Sequence, residues 1–169
     1  TMVAESLDPL KTRHGQRIIP DQTMADGSDF DLLLIPGGDS AIDAGRRPQV
    51  IEWLQRTGNT AELVMTVCTG SILLAMTGLL NGHKATTNKM DFRDTVGLGP
   101  NVEWVERARW VKDGKFFTSS GVSAGMDMSL AAAAHLFGQE AADWMAEGCE
   151  YDWHRDPSWD PFAVSSGLV

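Results

Sequence analysis

Cys68 closes an apolar run, Leu63-Val64-Met65-Thr66-Val67, and is followed at once by Thr69-Gly70-Ser71 and a helical pattern. A cysteine at that junction has the sequence shape of a nucleophile elbow. In such an elbow the nucleophile stands on a sharp strand-to-helix turn, small neighbours let the backbone bend, and the unbonded N–H groups of the following helix face the reacting atom. Those groups and the positive end of the helix dipole favour a thiolate, so nucleophile and anion site coincide. A second set of donors comes from Pro36-Gly37-Gly38, which ends another apolar run. With parallel strands the two turns lie side by side, and the backbone N–H groups around Gly37, Gly38 and Thr69 form the expected oxyanion hole. Glycines suit this role because a Cβ there would hold the substrate away.

A competing reading makes Cys68 a small core residue, the usual fate of a lone cysteine in an apolar strand. Its position at the strand end, the Thr69-Gly70 step and the upstream Pro-Gly-Gly turn favour chemistry. Cys149 has no such setting and reads as structural. Asp39, directly after Gly38, either borders the pocket or caps the turn. His14 and His83 fall in turns, His135 lies in an alanine-rich helix as a packing residue, and His154 belongs to an irregular tail. No Cys-His dyad follows from spacing. Ser123 and Asp127 read as the N-cap and first turn of a helix.

The elements that must position these residues are legible to different degrees. Phe30-Asp31-Leu32-Leu33-Leu34-Ile35 is apolar without alternation, as expected of a strand covered on both faces. Residues 48–57 carry Val50, Ile51 and Leu54 at helical spacing and stop at Gly58-Asn59. The Cys68 strand and a helix over 69–76 follow, so two strand-helix units in succession predict a parallel sheet with ligands at the carboxyl ends of its strands. Short extended segments are expected at 1–5, at 15–21, closed by Pro20, and at 84–87. A broad β stretch over 102–111 turns at Asp113-Gly114 into Lys115-Phe116-Phe117-Thr118-Ser119. A helix rich in small residues follows Gly121, and another covers 139–147. The tail 149–169 has no period and reads as an irregular extension whose Trp153, Trp159 and Phe162 dock on the body or on a partner.

The 169 residues most simply form one domain, able to bury roughly two-thirds of the surface of the unfolded chain. Acidic residues outnumber basic ones 23 to 14, a net charge of −9, which argues against a nucleic-acid or anionic-membrane surface. There is no run of membrane-spanning length and no Cys/His cluster of metal-ligand spacing, so neither a metal nor a cofactor is expected. The sparse cysteines fit a reducing cytoplasm. The first residue is Thr1 rather than methionine, from which a native start further upstream is expected.

Leu34-Ile35-Pro36-Gly37-Gly38, Val67-Cys68-Thr69-Gly70, Ala85-Thr86-Thr87 and Thr118-Ser119-Ser120-Gly121-Val122-Ser123-Ala124-Gly125-Met126-Asp127 resemble, in order, the motifs of the ThiJ/PfpI family of the class I glutamine amidotransferase-like superfamily. The resemblance covers nearly the whole chain. It implies a flavodoxin-like α/β three-layer sandwich with a mainly parallel sheet, a homodimer, and a reactive cysteine at the elbow. It also implies that the family's first strand and helix, with an acidic residue that bonds the cysteine, have no counterpart here. A sheet edge and apolar helix faces would then be left uncovered. Thr69 replaces the histidine of the peptidase-like members, Asn88 stands where relatives often have histidine, and Ser120 joins Asp39 and Asn88 as a pocket candidate.

The function expected from these readings is a cysteine-dependent hydratase or hydrolase of a small electrophile, similar to isocyanide hydratases. A thiolate attacks the substrate carbon and water resolves the thioimidate or acyl-type intermediate. The alternatives are a redox or ligand sensor using the same cysteine, or a sensor domain of the kind fused to transcription regulators.

Overall fold

Thirteen residues, Pro48–Thr60, form the first long helix, opened by a proline at its first turn and burying Val50, Trp53 and Leu54. The computed structural model describes residues 1–12, 14–27 and 29–169. In chain order the strands are β1 (Val3–Ala4), β2 (Leu10–Lys11), β3 (Arg17–Ile18), β4 (Gln22–Thr23), β5 (Leu32–Ile35), β6 (Leu63–Val67), β7 (Lys84–Ala85), β8 (Glu103–Trp104), β9 (Trp110–Asp113) and β10 (Phe116–Ser119). The helices are α1 (Ala41–Ala44), α2 (Pro48–Thr60), α3 (Gly70–Met76), α4 (Phe92–Thr95), α5 (Val122–Phe137), α6 (Gln139–Gly148) and α7 (Pro161–Ser165).

The central sheet runs β5-β6-β10-β9, with β5, β6 and β10 parallel and β9 antiparallel to β10. Shorter pairs flank it: β1 with β4 and β7 with β8, both parallel, and the β2–β3 hairpin. The mainly parallel sheet is the one that the strand-helix alternation predicts, and the α/β sandwich is the one that the family resemblance implies. The β9–β10 hairpin turns at Gly114, whose φ of 58° is the conformation such a turn requires.

Along β6 the side chains alternate between two cores. Val64 joins Leu33, Ile35, Trp53, Leu54, Leu74 and Leu80 on one face. Leu63 and Met65 join Trp110, Phe117, Met128 and Ala132 on the other. Each fully buried side chain of this size contributes about 1.5–3 kcal/mol, and this burial holds the strand ends that carry the two turns.

Three expectations are corrected. The first concerns β5, which lies at the edge of the sheet: Leu33 and Ile35 are buried, but Leu32 and Leu34 are 43% and 50% exposed, because none of the described elements covers that face. Next, the stretch 102–111 is two strands rather than one, broken by the turn through 105–109. Finally, the tail is not wholly irregular. Asp160 caps α7 by accepting from the Phe162 N–H, while Trp153 and Trp159 pack on arginines and Phe162 stays exposed. Among the described residues no helix is long and apolar enough to cross a membrane, and no cluster of His, Cys, Asp and Glu could hold a metal ion.

Candidate active site

Cys68 has a φ of 58°, one of two non-glycine residues on the positive side among the described residues. A left-handed conformation costs a non-glycine residue of the order of 1–3 kcal/mol and persists only where its surroundings fix it. Here they do. The Cys68 N–H donates to the carbonyls of Ser120, at 2.8 Å, and Ser119, at 3.2 Å. Its carbonyl accepts from Ser71 Oγ at 2.9 Å, from Thr87 Oγ1 at 3.1 Å and from the Ser71 N–H. Both sides of the strained residue are thus tied to β10 and to the segment after β7.

Close approach of glycines lets the two turns meet. A Cβ on Gly37 would stand 2.7 Å from the Val67 carbonyl oxygen and 2.8 Å from both Cys68 Cβ and the Thr69 nitrogen. One on Gly70 would stand 2.4 Å from the Ile35 carbonyl oxygen, and one on Gly125 2.9 Å from Val67. The Pro-Gly-Gly turn, the elbow and the first turns of α5 therefore fit together only without side chains at these positions.

Thr69 links the turns directly. Its hydroxyl accepts from the Gly38 N–H at 2.9 Å and donates back to the Gly38 carbonyl at 3.1 Å. The N–H groups of Gly37, Thr69 and Gly70 have no acceptor among the described residues.

Cys68, Gly37 and Gly38 open onto a cavity of about 760 Å³. Its walls are mostly apolar: Leu34 and Val67 from the sheet, Val122, Met126 and Leu130 from α5, and Ala146 at the end of α6. The polar side chains facing it are Cys68, Cys149, Ser129 and Tyr151, with neither carboxylate nor histidine among its described lining. The Ser129 hydroxyl is spent on the Gly125 carbonyl. Tyr151 donates to Asp127 Oδ1 at 3.1 Å, and burial, reinforced by that carboxylate, pushes its phenol above the usual range, so the proton stays on the hydroxyl.

The remaining pocket candidates lie outside the lining. Asp39 follows Gly38 on the exposed surface. Asn88 caps the next turn, its Oδ1 accepting from the Met90 N–H at 2.9 Å. Ser120 is buried and holds the Cys68 N–H instead of facing the cavity. Cys149, read as structural, lines the same cavity as Cys68.

Sequence reasoning missed a polar cluster behind the elbow. Asp127 is not a helix-start residue: Gly121 is the N-cap of α5, and Asp127 is fully buried against Arg109, whose Nε donates to its Oδ2 at 2.5 Å. Lys89 is buried as well, 3.3 Å from the buried Asp160 and donating to Thr86 Oγ1. Burial pushes the Lys89 ammonium below the usual lysine range, opposed by Asp160 and Glu106. One signal for the first pair was available: a lone acid between Met126 and Met128 in an otherwise apolar helix calls for a buried partner.

Against known proteins, residues 1–135 match the model of the DJ-1/PfpI family. The chain belongs to that family. An isonitrile hydratase of Pseudomonas putida is 32% identical over 152 residues, which are 89% of this chain and 64% of the relative. The deglycase PfpI of Pyrococcus furiosus is 28% identical over 109 residues, 63% of this chain and 64% of its own length. A solved ThiJ/PfpI family protein from Pseudomonas syringae superposes with a TM-score of 0.82 at 32% identity, covering 99% of this chain and 71% of that one. The chain thus spans about two-thirds of the length of each of these relatives.

Proposed function

We propose that this DJ-1/PfpI family chain carries a cysteine-dependent hydratase or hydrolase site for a small electrophile with an apolar substituent, in the manner of an isonitrile hydratase. The observation that carries the reading is the positive φ of Cys68, held by hydrogen bonds on both sides at the mouth of an apolar cavity. Nothing in a packing role for cysteine requires that strain.

In the isonitrile version, the Cys68 sulfur bonds to the terminal carbon, and the thiol proton, passed through water, ends on that carbon to give a thioimidate. Water then adds across the C=N bond, placing a proton on nitrogen and hydroxyl on carbon. Collapse of the adduct breaks the C–S bond, releases an N-substituted formamide and returns the thiol, so one water is consumed. Charge developing at the substrate is met by the Gly37 and Thr69 N–H groups, which have no acceptor among the described residues, and by the Gly38 N–H where it exchanges its bond to the Thr69 hydroxyl. The apolar walls suit the substituent on nitrogen, and no charged side chain is needed to hold it.

A panel of isonitriles, amides and α-oxoaldehydes, offered to the native chain and to Cys68→Ser, tests the reading. Formamide production by the native chain and none by the variant is expected. Equal turnover by both would refute it, and no turnover of any substrate would turn the same cysteine towards redox or ligand sensing. Pairing of two copies, implied by the family resemblance, is read separately by sedimentation.

A further inference from the structure

Two buried ion pairs lie outside the cavity, yet each joins the C-terminal segment to a residue bonded to Cys68. On the amide side, the Pro157 carbonyl accepts from the Arg109 N–H at 2.7 Å. The Arg109 carbonyl accepts from the Ser120 N–H at 2.9 Å, and the Ser120 carbonyl accepts from the Cys68 N–H at 2.8 Å. The Arg109 side chain is itself gripped, by Asp127 below and by the Trp159 ring, whose centroid lies 5.3 Å from its guanidinium carbon. Asp127 uses its other oxygen to accept from the Tyr151 hydroxyl and the His154 N–H, and His154 stacks on Trp159 at 4.5 Å.

On the carbonyl side, Asp160 faces the Lys89 ammonium, which donates to the Thr87 carbonyl at 3.3 Å. The Thr87 hydroxyl donates to the Cys68 carbonyl at 3.1 Å. A single stretch of tail, 151–160, therefore reaches both faces of the peptide units that hold Cys68 at positive φ. That stretch lies beyond the residues matched by the family model.

We propose that residues 151–160 are a positioning strap for the nucleophile elbow, with Asp127–Arg109 and Lys89–Asp160 as its two latches. The proposal rests on the reading of Cys68 as the nucleophile. None of the four latch residues lines the cavity; they act through Ser120, whose carbonyl accepts from the Cys68 N–H, and through Thr87, whose hydroxyl donates to the Cys68 carbonyl. A residue this strained keeps its geometry only when its neighbours are fixed, and buried ion pairs that also hydrogen-bond the surrounding chain fix them in directions that apolar packing alone does not.

The test is the rate at which Cys68 is alkylated by iodoacetamide, followed peptide by peptide so that the exposed Cys149 serves as internal reference. It needs no substrate, so its outcome is independent of whether turnover is found. The variants are Asp127→Asn, and Lys89→Met combined with Asp160→Asn, which removes both buried charges together and so strands neither. Leu80→Ala, a core truncation without a bond to the elbow, is the control for lost stability. Alkylation of Cys68 is expected to slow about tenfold in both latch variants, because the loosened elbow no longer holds the thiol in one position, while Cys149 reacts as before. The control should leave both rates unchanged at a comparable loss of Tm. Cys68 rates that are unchanged, faster, or slowed equally in Leu80→Ala would overturn the strap.

Discussion

The elbow has two unlike flanks. On the β5 side it meets an apolar trough in which Leu34, Val122 and Met126 remain exposed. On the β10 side it meets buried charges, each engaged by a partner, and a tail that covers them. The first flank is held by few directional bonds and leaves room for a ligand. The second has no room and many bonds. A reacting group needs both: a fixed backbone behind it and an unfilled space in front.

The largest effect should come from the thiol itself. Cys68→Ser is expected to lower turnover on the order of 10³-fold or more while leaving Tm almost unmoved, since the residue is only partly buried and the exchange is nearly isosteric. On the bonded flank, Arg109→Met should cost about 3–5 kcal/mol by urea unfolding, because it strands the buried Asp127 charge. At the contact between the turns, Gly37→Ala should cost about 1–3 kcal/mol, the Cβ forcing the Val67 carbonyl and Cys68 apart. On the open flank, Leu34→Ser should change stability by no more than about 0.5 kcal/mol. Equal costs for Arg109→Met and Leu34→Ser would erase the contrast between the flanks.

A smaller effect concerns pH. Burial lowers the Lys89 ammonium from its ordinary 10.5, so between its folded value and 10.5 the unfolded chain binds the proton more readily than the folded one. Stability from this group therefore rises with pH across that window. Urea midpoints at about pH 7 and about pH 10 should show the native chain gaining on the variant carrying Lys89→Met and Asp160→Asn. Tyr151, shifted the other way, is common to both and cancels.

The open flank and the elbow were legible in the sequence because their signals are local. A strand, a cysteine, small residues and a helix follow one another within a dozen positions, and Pro36-Gly37-Gly38 marks its turn by composition alone. The bonded flank was hidden for the opposite reason. Arg109 and Lys89 look like surface cations, and what buries them is a tail with no period of its own. The edge position of β5 was also obscured, because an apolar run reads the same whether or not its second face is covered. Ser120, taken as a pocket residue, sits in the right motif but turns its backbone to Cys68 and not its side chain to the cavity.

The most direct test is to trap the intermediate. With an isonitrile substrate, acid quench during turnover and peptide mass analysis should find the substrate's mass added to the Cys68 peptide, with none on the Cys149 peptide and none in Cys68→Ser. Formamide production that continues undiminished in Cys68→Ser, with no adduct on Cys68 in the native chain, would contradict the assignment of Cys68 as the nucleophile.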